Sequence, residues 1–333
     1  MAATRASGLQ RSYTIRSGMA ILALTLASAE TLSLNSTTKL CPSPGGWHPC
    51  ACIHEVESGT RAEEVGHADG SSSLRLHAPD GRVRTLPHCA EKPPAPPAAQ
   101  AAPPTDPCEL GWAHAAPMEA FFQHSKQIAT FSATYSVPTP PATTSKNILY
   151  WWIGLQPPHG SPLNRVIQPV LSYVPGSSPN NWYIESWDCC PAGHKVKAQS
   201  VSVKGPGAKL HGSMKRSDDG IFTITSTDGA GATSVLLSDY TNAAIIGNWT
   251  WVDIVLETYD VADCAQYASG VVDFSSMTLT DVEGAAVTPS WVSAPYINGE
   301  YLPQATSAAF TACCRGVFDF SKWPLATMSQ NTG

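Results

Sequence analysis

Carboxylates, amides and indoles spaced along one side of an extended strand can bind a polymer and hydrolyse it. Three stretches of this 333-residue chain carry that pattern. In 248–259 the even positions Thr250, Val252, Ile254, Leu256 and Thr258 form one face, and Trp249, Trp251, Asp253, Val255, Glu257 and Tyr259 form the other. Side chains alternate along a strand, so the first face belongs to a core and the second is aromatic and acidic. In 148–156 the same split sets Leu149, Trp151, Ile153 and Leu155 against Tyr150, Trp152, Gly154 and Gln156, and in 182–188 Tyr183, Glu185 and Trp187 share a face. Trp152, Glu185, Trp187, Trp251 and Asp253 are therefore the candidate substrate-binding residues. A polysaccharide stacking on Trp152, Trp187 and Trp251 and an extended peptide both suit such a surface, and aromatic rows also arise from plain cross-strand pairing. Asp253 and Glu257, four residues apart, lie about 13 Å apart along a strand, too far for the pair of a retaining glycosidase, although Glu185 from another strand could partner either.

The elements that position these residues read as strands. Runs rich in Val, Ile, Thr, Tyr and Trp, bounded by Pro, Gly, Asn and Asp, fall at 131–137, 148–155, 165–174, 182–188, 198–203, 209–215, 220–226, 234–238, 248–259, 270–279 and 310–318. Regular spacing of this kind predicts an all-β sandwich or barrel. A short helix is predicted around 117–127, and no internal repeat of 20–50 residues points to a solenoid or propeller.

Composition narrows the function. Net charge is −6, from 26 acidic and 20 basic residues, which argues against a nucleic-acid partner. No apolar run reaches the roughly 18 residues that span a bilayer. Residues 1–29 carry Arg5, Arg11 and Arg16, the apolar stretch 19–27 and the small-residue triplet Ala27-Ser28-Ala29, as a secretory signal peptide does, with an organelle transit peptide as the competing reading. The sequons at Asn35 and Asn248 agree with a secreted glycoprotein. Residues 30–91 hold Cys41, Cys50, Cys52 and Cys89 without sustained periodicity and read as a small stapled or poorly ordered segment, a candidate propeptide. The Pro-rich tract 92–107 reads as an exposed linker, and 108–333 as the working domain. That last part holds nine of the ten Trp and the whole negative balance, with 17 acidic against 11 basic residues.

Among the cysteines of the working domain, Cys108, Cys189, Cys190, Cys264, Cys313 and Cys314 are disulfide candidates, the adjacent pairs 189–190 and 313–314 being expected to bond to separate partners. Zinc on Cys41, Cys50, Cys52 and His54 is weighed and set aside, because the spacing is not a C-x₂₋₄-C pair and secretion favours oxidation. The histidines form no recognised metal motif, and neither a nucleophile elbow nor a phosphate loop is present. No metal or other cofactor is expected.

The order of motifs resembles the eqolisins, the glutamic peptidase family. Phe131-Ser-Ala-Thr-Tyr-Ser-Val-Pro138 is similar to that family's strand ending in Val-Pro, and Trp152-Ile-Gly-Leu155 to its Trp-Val-Gly-Ile segment. Val166-Ile167-Gln168 resembles the strand bearing its catalytic Gln, 182–187 its aromatic-acidic stretch, and Ile254-Val-Leu-Glu257-Thr-Tyr259 the strand bearing its catalytic Glu. Gln156, where the family has an acid, and Asp188-Cys-Cys-Pro191, where it has Tyr-Pro, depart from the pattern. The resemblance implies a two-sheet antiparallel β-sandwich of concanavalin A-like jelly-roll type behind a Cys-containing, Pro-rich N-terminal region. It further implies a secreted acid endopeptidase, active outside the cell or in an acidic secretory compartment, with Glu257 as general base on a water and Gln168 stabilising the tetrahedral intermediate. The alternative is a non-catalytic carbohydrate-binding or cell-surface sandwich.

Overall fold

The computed structural model of the chain describes residues 39–89, 115–158, 161, 165–177, 180–243, 248–261, 264–293, 296–297, 300–301 and 316–330. The leader 1–29, the linker 92–107 and Cys108, Cys313 and Cys314 lie outside them.

The N-terminal region contributes strands β1 (Leu40–Ser43), β2 (Gly46–Pro49), β3 (Ile53–Val56), β4 (Thr60–Gly66), β5 (Ser72–His77) and β6 (Val83–Pro87). There follow β7 (Ala115–Gln123), β8 (Ile128–Ser136), β9 (Ile148–Gln156), β10 (Val166–Tyr173), β11 (Trp182–Cys189), β12 (Lys195–Ala198), β13 (Val201–Ser202), β14 (Lys209–Arg216), β15 (Phe222–Asp228) and β16 (Thr233–Asp239). The chain continues with β17 (Trp251–Tyr259), β18 (Gly270–Asp281), β19 (Val292–Ser293), β20 (Tyr296–Ile297), β21 (Glu300–Tyr301), β22 (Gly316–Lys322) and β23 (Leu325–Gln330).

Two large sheets result. The first runs β21-β20-β7-β17-β9-β10-β11-β12-β3, with β13 beside β11 and β19 beside β7; the second runs β22-β23-β18-β8-β14-β15-β16-β4-β5-β6. The sandwich predicted from strand spacing is the observed fold. Its core takes the apolar side of each alternation: Leu149, Trp151, Ile153 and Leu155 from β9, Val252, Ile254 and Leu256 from β17, and Phe131, Met214 and Ile224 from the facing sheet. No helix among the described residues is long and apolar enough to cross a membrane.

Two expectations give way. Residues 115–123, which overlap the stretch 117–127 predicted as a helix, form β7, because pairing with β17 sends Phe122 into the core and lays Phe121 on the Trp251 ring, with centroids 4.6 Å apart. Residues 40–87 are not a separate, poorly ordered segment. β3 pairs in parallel with β12 and β4 in parallel with β16, so this region completes the edge of both sheets. Ala62, Leu74 and Leu76 lie in the common core, and Arg165, at the start of β10, makes a 2.6 Å ion pair with Glu64 of β4, both side chains 6% exposed. Disulfides join Cys41 to Cys50 and Cys52 to Cys89. Cys189 is bonded to its neighbour Cys190, not to a separate partner.

Candidate active site

The outward face of the first sheet gathers the residues that alternation selected. β17 supplies Trp251, Asp253, Val255, Glu257 and Tyr259; β9 supplies Tyr150, Trp152, Gly154 and Gln156; β11 supplies Tyr183, Glu185 and Trp187. β10 adds Val166, Gln168 and Val170. Tyr150, Trp152, Val166, Val170, Trp187, Val255 and Tyr259 form a second apolar cluster, separate from the core, on that face.

Register decides which polar groups meet. Gln168 stands opposite Trp187 on one side, and the pairs Ile167–Leu155 and Val170–Trp152 bring it beside Gly154 on the other. Gly154 stands opposite Asp253. Gln168 and Asp253 thus share one rung across two strand spacings, about 10 Å between backbones, with a residue lacking a side chain between them. A Cβ on Gly154 would come 2.6 Å from Trp152 Cζ3, so the indole lies over the glycine. Glu257 stands opposite Tyr150, four residues and about 13 Å further along β17. Gln168 and Glu257, the two residues singled out by the family resemblance, lie on different rungs, and the carboxylate level with Gln168 is Asp253.

The two carboxylates differ in their surroundings. Asp253 is fully buried and accepts hydrogen bonds from Trp251 Nε1 and, at 2.7 Å, from Gln156 Nε2. Burial, with the nearby Glu119 charge adding to it, pushes its pKa well above the usual carboxylate range. Glu119 lies on β7 opposite Val255, diagonal to Asp253 on the same face. Gln168 is also fully buried, and neither its amide nitrogen nor its oxygen has a hydrogen-bond partner among the described residues. Buried amides are normally satisfied, and this one keeps a donor and an acceptor for a reacting group.

Glu257 is committed elsewhere. Its Oε1 accepts from the Gly45 N–H at 2.7 Å, and Trp152 Nε1 donates to its Oε2 at 3.2 Å. The Tyr259 hydroxyl accepts from the Gly46 N–H at 2.7 Å and lies 2.6 Å from both Glu257 Oε1 and the Ser43 carbonyl, sharing one proton between them. The Lys195 ammonium donates to the Pro44 carbonyl at 2.6 Å. The tip of the β1–β2 hairpin is thus held on the face through four main-chain groups, and Trp47 packs edge-on against Tyr259. Gly45 has φ +83°, and a Cβ there would meet the Lys195 nitrogen at 3.2 Å, which explains the glycine.

Glu185 is not a free acid either. It accepts from Ser172 Oγ and Trp187 Nε1 at 3.0 Å each, from Ser200 Oγ at 2.7 Å and from the Lys197 ammonium. Trp152, Trp187 and Trp251 are 3–8% exposed, each turning its N–H to a carboxylate of the face. Sequence reasoning missed Glu119, Lys195, Lys197 and the hairpin tip. The first three sit in runs without clear alternation, and the Pro44-Gly45-Gly46 turn was the available signal for the last.

Cys52, Cys89 and His194 bring sulfur and nitrogen atoms within 4.8 Å of one another, but the two cysteines are spent in a disulfide, so the cluster is not a metal centre in this state.

No protein-family model matches the chain. No curated protein matches it either. Among solved structures it is similar to scytalido-glutamic peptidase with a peptide-based transition-state analogue, at 13% identity and a TM-score of 0.43, covering 67% of this chain and 98% of that one. The same peptidase with a transition-state analogue inhibitor is 14% identical with a TM-score of 0.42 over the same shares. SCP-B, a member of the eqolisin family in complex with the tripeptide Ala-Ile-His, is also 14% identical, with a TM-score of 0.42 and the same coverage. These are distant likenesses of fold, and the residue roles below rest on the register and contacts of this chain.

Proposed function

We propose that the chain is a peptidase whose reacting groups are Asp253 and Gln168. The observation that carries this reading is the shared rung: a buried carboxyl group and an unpartnered buried amide face each other across Gly154. In the reaction, ionised Asp253 takes a proton from a water, whose oxygen bonds to the scissile carbonyl carbon while the Gln168 N–H donates to the oxyanion. The proton then passes to the amide nitrogen as the C–N bond breaks. Activity rises with pH as Asp253 ionises, above the ordinary aspartate range, because burial raises its pKa.

A polypeptide fits better than a polysaccharide, because the face already grips a peptide, its own residues Ser43–Gly46, by main-chain groups. Three disulfides favour an oxidising compartment, in line with secretion.

The test is cleavage of an unfolded protein by the purified chain over about pH 3–7, in the wild type and in Gly45→Ala, whose added Cβ crowds Lys195 and lifts the hairpin tip. Turnover lost in Asp253→Asn and Gln168→Ala but retained in Glu257→Gln is the expected result. Absence of turnover in both backgrounds, or turnover that survives Asp253→Asn, overturns the assignment.

A further inference from the structure

Histidines join the N-terminal strands to the turn before β12 through hydrogen bonds that run in one direction. His194 Nε2 lies 2.8 Å from the Pro87 carbonyl, which only accepts, so that nitrogen carries a proton. In neutral His194 the other nitrogen, Nδ1, then has a lone pair, and it lies 3.0 Å from His54 Nε2. His54 Nε2 must be the donor, which leaves His54 Nδ1 as an acceptor, and Arg84 Nη2 stands 3.2 Å from it. The relay therefore reads Arg84 to His54 to His194 to Pro87, with each imidazole in one tautomer. Beside it, His48 of β2 donates from Nε2 to the Gly193 carbonyl at 2.9 Å.

The relay joins the N-terminal region to the rest of the sandwich. His48, His54, Arg84 and Pro87 come from β2, β3 and β6, whereas Gly193 and His194 lie between β11 and β12, just before Lys195, which grips Pro44 at the hairpin tip.

We propose that this relay is an acid-sensitive latch, closed while His54 and His194 are neutral and opened by protonation of either, which frees the β1–β2 hairpin from the face. A proton on His54 Nδ1 sets an N–H against the Arg84 guanidinium. A proton on His194 Nδ1 sets two N–H groups against each other across 3.0 Å. The charges acting on these rings are those of His194, His88, Arg84 and Lys195, all bases, with no carboxylate among them. Burial, then the neighbouring His194 and Arg84, hold His54 down to about 4, and burial likewise lowers His194 and His48. A histidine whose folded pKa lies below its unfolded value of about 6.5 stabilises fully above that value, and the contribution drains away as pH falls to the folded pKa. The opening window is accordingly from about pH 6.5 down to about 4.

The inference concerns docking alone and stands or falls apart from the peptidase reading. Its test is hydrogen–deuterium exchange of the full chain from pH 7 to pH 4, followed by mass spectrometry, with exchange times scaled for the intrinsic rate at each pH. Residues 40–56 are expected to lose at least tenfold protection across the window while β14–β16 keep theirs. The His54→Gln/His194→Gln variant, whose amides donate and accept without charging, is expected to stay protected at pH 4. Arg84→Met, at an exposed position, removes the cation that a proton on His54 Nδ1 would face and is expected to move the opening midpoint to lower pH. Protection of 40–56 that ignores pH in the wild type, or an Arg84→Met midpoint that stays put or rises, overturns the proposal. So does a folded double-glutamine variant that opens where the wild type does.

Discussion

Replacing Arg165 by Met tests whether the N-terminal strands are structural members of the sandwich or a detachable cover. The Arg165 guanidinium sits 2.6 Å from Glu64 of β4 and 4.4 Å above the Tyr240 ring. Tyr240 in turn donates to Asp188 at 2.6 Å. With both partners 6% exposed, this is a buried pair, for which removing one charge strands the other in low dielectric at a cost of about 3–5 kcal/mol. An exposed pair would lose about 1 kcal/mol or less. Methionine keeps most of the volume, so a cavity adds little. The second arm is Arg165→Met with Glu64→Leu, which removes both charges; apolar replacement of a whole buried pair is often neutral, so most of the loss should return. The assay is urea unfolding at pH 7 followed by tryptophan fluorescence, read as a double-mutant cycle, with an expected coupling of about 2 kcal/mol or more. A loss below about 1 kcal/mol for Arg165→Met, or additive losses in the double variant, would refute the claim that Glu64 and Arg165 tie the two regions through the core.

Asp188, lifted by burial to about 7, prefers its proton in the folded state. Its contribution is whole below the unfolded carboxylate range and drains as pH rises from about 4 through 7, in total at most about 4 kcal/mol. The difference in unfolding free energy between wild type and Asp188→Asn should therefore change across that window, and a constant difference would be the contrary result. Gly154→Ala puts a methyl group 2.6 Å from the Trp152 ring and 3.3 Å from Val166, so the indole must shift between Asp253 and Gln168. A stability loss of about 1–3 kcal/mol and at least a tenfold fall in peptide cleavage are expected, and full turnover in a folded Gly154→Ala protein would count against the rung as the reaction site.

Most of the sandwich was legible because the longer strands between 128 and 281, β14 and β15 among them, follow a two-residue period. β9 and β17 show why: their even and odd positions part cleanly into core and outer face, and the side-chain clusters follow that division. Periodicity gives the face of a residue but not its height, since a slide of two or four residues preserves every inward and outward choice. Gln168 and Glu257 accordingly share one surface at different heights. The height was fixed by pairing through β9, where Gly154 marks the rung because the Trp152 ring needs the space a side chain would fill. The N-terminal strands escaped notice for a related reason. β3, a short edge strand, and β4 are joined in parallel to β12 and β16, so their pairing is long-range and their polar outer residues, such as Glu55 and Arg61, break the apolar pattern. Glu64 is the exception that could have been informative: an acid amid Ala62 and Val65 demands a buried cation, and that cation lies about a hundred residues away, at Arg165. What ties this region into the sandwich is also what brings its hairpin over Glu257, so cutting the Pro-rich tract alone would leave the cover in place. Release of the hairpin therefore depends on its own anchors at Glu257, Tyr259 and Lys195 rather than on the covalent link to the rest of the chain.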